Sequence, residues 1–435
     1  MASLAAAIVL SLFGIMSGAM AQEAAGGGGQ QKYTMAEYNS YQAAAAEKNP
    51  VAQLKLLDDF TAKYPNSNLL NYVYPLYYNN YGAQKNFPKT IEYCDKLLAL
   101  GEKASAAERY QAYSVRAYAY NNISNPDAET ARKAREAALA GVKSVDSVPK
   151  PDGVDEAKFT EDKKRSVIFF NGTAANAAMA AKDYAGAIQS YKAVLAATPE
   201  DLTANYSLGK AYMSTNPPQQ LDGMWSFARA ATSKSANEQQ SKQVKSYLRK
   251  VIVGYQGGAV CDSLTDAELS ELLQLASTSV DRPASYKLYS NSDLEAGRKD
   301  MTIATVVTDL KAGGDKAKLT WTAACGLEFP DVPGKILDVA PGTDAVVIKT
   351  AFVTSDAEFE AATTPNMEAK IVGQPEAAKL EKNNPVRFTA TLASYDPDPA
   401  FMIHWDKAKV NAEDLPKAKE PAKKKAPVHH PAKKP

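Results

Sequence analysis

The hydrophobic and polar positions of this chain follow two different periods. From residue 33 to about residue 256, apolar side chains recur every three or four positions, which predicts amphipathic helices separated by Pro, Gly and Asn turns. The clearest stretch is Ile168–Thr232, where two helical hairpins of nearly equal length follow one another. Residues 33–145 show a more degenerate form of the same order, so the first half of the chain is predicted to be paired helices.

In the last quarter of the chain, apolar and polar residues alternate, as in half-buried strands. Val386–Leu392 is the clearest example, because its apolar residues all fall on one face. The predicted strands are Lys318–Thr322, Gly334–Val339, Ala345–Thr350, Glu368–Val372, Val386–Leu392 and Phe401–Trp405. Five or six short strands with Pro, Gly and Asn turns predict a small barrel or sandwich.

Small and bulky residues alternate in a regular order within the clear hairpins. The order is Tyr184, Ala187, Tyr191 and Pro199, then Asn205, Leu208, Gly209 and Tyr212, then Gly223, Phe227 and Ala230. A small residue lets the two helices of a hairpin approach closely, and a bulky residue fills the gap one or two turns away. This order resembles the tetratricopeptide repeat, a unit of about 34 residues, with two residues inserted in the Asn216–Gln220 turn.

The resemblance implies a right-handed solenoid of about five repeats, in which the first helix of each repeat lines a groove. The groove candidates on the clear repeats are Asn176, Met179, Tyr206, Lys210 and Met213. Some members of the family clamp a C-terminal carboxylate with Lys and Asn side chains. Gly172 and Tyr206 occupy positions where those polar groups are expected, so the implied partner is a different protein or peptide.

Composition divides the chain into segments. They are a signal peptide (1–21), a Gly-rich linker (22–32), degenerate tetratricopeptide-like repeats (33–145), a loop (146–165), two clear repeats with a capping helix (166–256), a helical connector (257–312), a small β-module (313–410) and a disordered tail (411–435). Capping boxes at Thr265 with Glu268 and at Ser292 with Glu295 predict the connector helices. The arrangement resembles secreted bacterial tetratricopeptide proteins that carry a small C-terminal β-module, often an oligonucleotide/oligosaccharide-binding-like barrel.

The N-terminus predicts export. An apolar run, Leu4–Met16, is too short for a stable membrane anchor, and Ala19 and Ala21 form a signal-peptidase site that predicts cleavage before Gln22. No Lys or Arg precedes the apolar run, so either the signal is atypical or its first residues lie upstream. The mature chain is expected in the periplasm or outside the cell, with no transmembrane segment.

Charge and cysteine content limit the chemistry. The formal net charge is +1, which argues against a whole-chain nucleic-acid or membrane-surface role. The tail carries seven lysines between Lys417 and Lys434, which either keep the chain soluble or attach it to anionic envelope polymers, lipid head groups or nucleic acid. Cys94 is expected to be a buried thiol. We hypothesise that Cys261 pairs with Cys325, because an exported chain meets an oxidising compartment.

Catalytic and metal-binding patterns are absent from the sequence. His404 is the one histidine in sequence that is expected to fold, and strand alternation places it opposite Ile403 and Trp405 on a solvated face. No Gly-x-Ser-x-Gly turn, glycine-rich phosphate loop or Cys/His metal spacing accompanies it. We therefore predict a non-enzymatic protein without cofactor or metal.

Tyrosines are concentrated in the first repeats, where fourteen of the 23 lie between Tyr33 and Tyr120. They either fill the bulky packing positions or line the groove, where their rings would contact sugars or peptide side chains. The leading hypothesis is an exported scaffold that binds a protein or peptide partner. The alternatives are an envelope protein that binds cell wall or polysaccharide, and a structural subunit that assembles with itself.

Overall fold

The computed structural model describes residues 33–258, 261–397 and 399–416. The predicted signal peptide, the Gly-rich linker and residues 417–435 of the predicted tail lie outside this range. The described chain is mainly helical, with many consecutive helices followed by a closed five-stranded β-barrel, which confirms the predicted fold class. It groups into two compact units, residues 33–248 with 272–284 and residues 249–271 with 285–416, so that the predicted connector is divided between them.

The first unit is a series of helical hairpins. Its complete helices are α1 (Met35–Ala46), α2 (Pro50–Lys63), α3 (Leu70–Ala83), α4 (Phe87–Leu98), α5 (Ala106–Asn121), α6 (Ala128–Ser144), α7 (Glu156–Ala180), α8 (Tyr184–Ala197), α9 (Leu202–Met213) and α10 (Gln220–Thr232). Each odd-numbered helix packs against the even-numbered helix that follows it. The first helices α3, α5 and α7 also contact one another in turn. Because α7 begins at Glu156, the last ten residues of the predicted loop 146–165 are helical.

Side-chain caps fix where these helices begin. Thr34 and Glu37 form a capping box at α1, and Ser105 and Glu108 form another at α5. Four later helices, α6 to α9, begin after an Asp whose carboxylate accepts backbone N–H groups of the first turn. These caps satisfy N–H groups that have no partner within the helix, so short polar residues in the turns define the hairpins.

Helices α9 and α10 approach almost to backbone contact. A Cβ atom at Gly209 would lie 2.6 Å from Cε1 of Phe227 and 3.0 Å from the carbonyl oxygen of Gly223. A Cβ at Gly223 would lie 3.0 Å from the Cε of Met213. The fully buried Phe227 ring therefore fits over Gly209, which is the arrangement of small and bulky residues that the spacing predicts.

Two further helices, α11 (Glu238–Tyr255) and α12 (Asp262–Thr278), have residues in both units. The end of α12 and the segment after it return to α10 within the first unit. Arg229 of α10, only 7% exposed, donates hydrogen bonds to the carbonyl oxygens of Ala276, Ser279 and Pro199 at 3.0–3.3 Å. Three backbone carbonyls thus solvate a buried guanidinium and hold the returning chain in place.

The second unit combines short helices with the barrel. Its elements are α13 (Asn291–Lys299), α14 (Ile303–Ala312), α15 (Gly314–Ala324), β1 (Glu328–Pro341), β2 (Val346–Ala351), α16 (Asp356–Ala361), β3 (Met367–Ile371), β4 (Pro385–Asp396) and β5 (Met402–Val410). Five of the six predicted strands are present, with shifted ends. The prediction of a strand at Lys318–Thr322 is wrong, because this segment lies in α15 and buries Ala317, Thr320 and Ala324 at helical spacing.

The predicted capping boxes of the connector are misplaced. Because α12 begins at Asp262, Thr265 lies inside the helix, where its hydroxyl donates to the carbonyl oxygen of Cys261. The next helix, α13, is capped by Ser290 with Asp293 rather than by Ser292 with Glu295. Several Ser, Asp and Glu residues in each stretch satisfy the same local pattern, so spacing alone did not select the correct cap.

The barrel closes in the strand order β1-β2-β3-β5-β4, with β1 pairing to β4. Neighbouring strands are antiparallel except β3 and β5, which are parallel. Alternate residues of every strand fill the interior, where Trp405 and Phe388 are the largest side chains. Residues of α14 and α15 join the same hydrophobic core, so these helices belong to the barrel's packing.

The barrel extends beyond the predicted start of the disordered tail. Asn411 donates to Asp331 at 2.7 Å, and Asp414 accepts from the backbone N–H of Arg387 at 2.8 Å. Leu415 packs against the barrel core. Residues 411–416 are therefore part of the second unit, and the predicted boundary at residue 411 is too early.

A buried amide–carboxyl pair joins the residue after α11 to α12 within the second unit. Gln256 is fully buried and Glu268 is 3% exposed, and Nε2 of Gln256 donates to Oε2 of Glu268 at 2.8 Å. Burial raises the pKa of Glu268 to about 7, with a smaller raising effect from Glu271 and lowering effects from Gln256 and Lys318. The carboxyl group is thus more easily protonated in the folded chain than in the unfolded chain.

Replacing Gly209 by alanine should destabilise the α9–α10 hairpin by about 1–3 kcal/mol, since the added Cβ has to displace a fully buried ring. Gly172→Ala on α7 is the matched control, because no heavy atom lies within 4 Å of its added Cβ apart from its chain neighbours and the backbone of its own helix. Hydrogen exchange of α9 and α10 amides, read by mass spectrometry, should rise in the first variant alone. Equal exchange in both variants would contradict the close-approach interpretation.

Raising the pH should destabilise the second unit through Glu268. The pKa of Glu268 is higher in the folded chain than the unfolded value of 4.5. Its favourable contribution to the free energy of unfolding is therefore complete below pH 4.5 and is lost as the pH rises through about 7. The loss should be on the order of 3 kcal/mol. Denaturant unfolding across this range, compared with Glu268→Gln, isolates the effect. If the variant has the same pH dependence as the parent chain, Glu268 is not responsible.

Candidate functional site

The predicted groove residues lie on the first helices of two successive hairpins. Asn176 and Met179 belong to α7, and Tyr206, Lys210 and Met213 belong to α9. Asn176 and Lys210 are exposed. Oδ1 of Asn176 accepts a hydrogen bond from the hydroxyl of Tyr191 at 2.8 Å, which fixes its orientation and leaves its amide N–H groups for other contacts.

The other three predicted groove residues are half-buried and take part in packing. The ring of Tyr206 lies 5.3 Å from that of Phe227 and 6.2 Å from that of Tyr247, in an aromatic cluster that links α9 with α10 and α11. Met213 packs where α9 meets Gly223, and Met179 packs against the core of the α7–α9 region. Asn176 and Lys210 are therefore the groove candidates with the most surface available to a partner.

The tyrosines of the first hairpins act mainly in packing. All fourteen between Tyr33 and Tyr120 are buried or half-buried. The rings of Tyr77 and Tyr93 stack with centroids 3.9 Å apart, and the Tyr77 hydroxyl donates to Asp58 at 2.7 Å. Burial raises the pKa of Tyr77. These contacts match the packing alternative, and the half-buried rings retain a smaller surface for contact with a ligand.

The three cysteines form one disulfide and one free thiol. Cys261 and Cys325 form a disulfide within the second unit, with their Cα atoms 5.8 Å apart, and join the residue before α12 to the residue after α15. The bond closes a loop between positions 64 residues apart. Cys94 is a free, fully buried thiol whose pKa is raised by burial.

His404 lies on the outer face of the barrel with two carboxylates. Its Nδ1 is 3.3 Å from Oε1 of Glu368 on β3, and its Nε2 is 2.9 Å from Oδ2 of Asp396 on β4. The side chain is 29% exposed, opposite the buried Ile403 and Trp405, as strand alternation predicts. In the described parts of the chain, no group of three His, Cys, Asp or Glu side chains is placed to hold a metal ion.

Three side chains that no sequence pattern identifies as a site line one cleft in the second unit. They are Glu268, Trp321 and Tyr395. Trp321 lies in α15, within the segment for which the alternating pattern wrongly predicts a strand. Glu268 offered a signal, because it lies four residues from Leu264 and from Leu272 on the apolar face of a helix, where a carboxyl group is unusual. Nothing in the sequence brings Tyr395 next to either residue.

Comparison of the chain with protein-family models and with curated proteins finds no match. Among the described residues, no helix combines the length and apolar composition required to span a bilayer. Functional assignment therefore depends on the arrangement of side chains.

Thiol titration should distinguish the three cysteines. We expect one reactive thiol, Cys94, in denatured unreduced chain, and three after reduction, since Cys261 and Cys325 are bonded. The folded chain should show none, because Cys94 is fully buried. Reduction should also destabilise the second unit by about 2–4 kcal/mol. Three thiols in denatured chain without reductant would show that the bond does not form.

Proposed function

We propose that this chain is an exported, non-enzymatic scaffold that binds a protein or peptide partner along the first helices of tetratricopeptide-like hairpins. The observation that carries the proposal is the consecutive contact of the first helices α3, α5 and α7, which places successive helices side by side. Stacked hairpins create extended binding surfaces of this kind because each repeat contributes a similar face.

The side chains on the clear hairpins suit a polar peptide. Lys210 supplies a positive charge, and Asn176 supplies amide donors whose direction is set by Tyr191. Met179 and Met213 add partly exposed, flexible apolar groups, which adapt to different partner side chains. A peptide with acidic and apolar residues would complement this surface.

The proposal of export is supported by the disulfide as well as by the N-terminal sequence. Disulfides persist in oxidising compartments and are rare in reducing ones. The pairing of Cys261 with Cys325 is therefore compatible with a chain that works in the periplasm or outside the cell. The predicted attachment of the Lys-rich tail to an anionic polymer concerns residues outside the described range.

Position-specific crosslinking tests the groove. A photoreactive amino acid at Lys210 of the full-length chain should trap a small set of proteins in the producing cells. The matched control is Lys133, an exposed lysine on the second helix α6. Mass spectrometry should identify adducts at Lys210 that are absent at Lys133.

A paired variant adds a second readout. Asn176→Ala with Lys210→Glu, read from a photoreactive group on a neighbouring exposed position of α9, Thr203, should reduce adduct yield about tenfold without changing helicity. These residues are preferable to Tyr206 and Met213, whose replacement would also disturb packing. Identical adducts at Lys210 and Lys133, or full yield from the paired variant, would reject the groove as the partner site.

A further inference from the structure

A cleft in the second unit brings together aromatic, acidic and basic side chains. It lies between residues 264–271 of α12, the junction of α14 with α15, and the end of β4, and it has a volume of about 420 Å³. Small-ligand pockets range over about 300–1,000 Å³. The cleft is therefore large enough for one small ring compound.

Trp321 of α15 and Tyr395 of β4 form the apolar side of the cleft. Their ring centroids lie 5.3 Å apart, and the ring planes are inclined by 60°. Both rings pack against the barrel core, and both are half-buried, so part of each ring is available along the cleft. Such rings attract the C–H groups of a ligand. They also attract organic cations, provided that no other positive charge lies beside the rings.

Glu268 is a buried side chain with an unsatisfied oxygen at the same cleft. Its Oε2 accepts the hydrogen bond from Gln256, whereas its Oε1 has no partner among the described residues. A buried polar atom without a partner is destabilising.

Lys318 and Glu271 form the polar side. Nζ of Lys318 lies 3.2 Å from Oε2 of Glu271, and the two side chains are 34% and 47% exposed. The ammonium group retains further N–H donors and the carboxylate retains acceptor positions. The pair therefore offers hydrogen bonds of both kinds without a net charge.

The balance of charge selects the class of ligand. An organic cation would meet the ammonium group of Lys318 beside the rings, and an anion would meet the carboxyl groups of Glu268 and Glu271. A neutral compound with an apolar C–H face and several hydroxyl groups matches both sides of the cleft. A pyranose sugar has this structure.

We propose that this cleft binds a neutral pyranose ring. The C–H face of the sugar packs on Trp321 and Tyr395, and its hydroxyl groups exchange hydrogen bonds with Lys318 and Glu271. The cleft is in the second unit, whereas the proposed groove residues lie on α7 and α9, so sugar binding and partner crosslinking can each fail without the other.

Saturation-transfer difference NMR on the full-length chain tests this directly. The probes are methyl α-glucopyranoside, methyl β-galactopyranoside, methyl α-mannopyranoside and N-acetylglucosamine. At least one should receive saturation, strongest at the C–H protons of one face, because that face lies on the rings. Methylguanidinium and inorganic phosphate serve as the cationic and anionic comparisons and should bind more weakly.

Variants locate the site. Lys318→Met and Glu271→Gln should each weaken sugar binding about tenfold, as expected for losing a hydrogen bond to a charged group. Lys316→Met is the matched control, since Lys316 lies on the same helix, is 80% exposed and does not line the cleft. Its affinity should stay within about twofold of the parent chain. Trp321→Phe should reduce saturation at the sugar C–H protons while circular dichroism stays unchanged.

Three results would overturn the proposal. One is the absence of saturation in all four sugars. Another is unchanged affinity in both Lys318→Met and Glu271→Gln. The third is tighter binding of methylguanidinium or phosphate than of any sugar, which would show that the cleft selects charge.

Discussion

Close approach between paired helices is the constraint on which the first unit depends. At the α9–α10 crossing, Gly209 and Gly223 face each other's backbone, and the Phe227 and Met213 side chains fill the space on either side. A hairpin built in this way has one well-packed interior and still exposes an apolar face that it cannot cover alone. Stacking of the next hairpin covers that face, so the series of helices follows from the geometry of one pair.

The buried Arg229 shows how the end of this series is secured. Transferring a guanidinium group from water is costly unless its N–H groups find acceptors. Here the acceptors are backbone carbonyl oxygens at the end of α12 and after α8, with Glu200 as a partly exposed counter-charge. Trp225 adds a hydrogen bond to the carbonyl oxygen of Val280 at 3.0 Å. A polar contact network, rather than another hairpin, therefore fixes the returning segment of the first unit.

The second unit depends on a closed sheet instead of on close approach between paired helices. Closing the sheet between β1 and β4 leaves no free edge in the barrel, and the interior is filled by alternate side chains of all five strands. Lys335 is buried at this barrel, and its ammonium group donates to the carbonyl oxygens of Phe359 and Ala362 at the end of α16. Its charge is thus placed at the negative end of a short helix. The outer face of β2 and β3 carries the charged side chains Lys349, Glu368 and Lys370.

The amino-acid sequence by itself determined the fold class, because hydrophobic periods of 3.6 and 2 are local properties that each segment carries alone. It also indicated the contact of Gly209 with Phe227, since both lie in one hairpin of fixed geometry. Its prediction of a strand at Lys318–Thr322 was wrong. Lys, Leu, Thr and Trp alternate as in a strand over these five residues, whereas the eleven residues of α15 bury side chains at helical spacing. Only the tertiary structure decided that Glu268, Trp321 and Tyr395 share a cleft, and that Tyr206 packs among the rings of Phe227 and Tyr247. The cleft depends on contacts between residues far apart in the chain, and the position of Tyr206 depends on the rotation of neighbouring helices relative to one another. No local pattern of residues encodes long-range contacts or helix rotation.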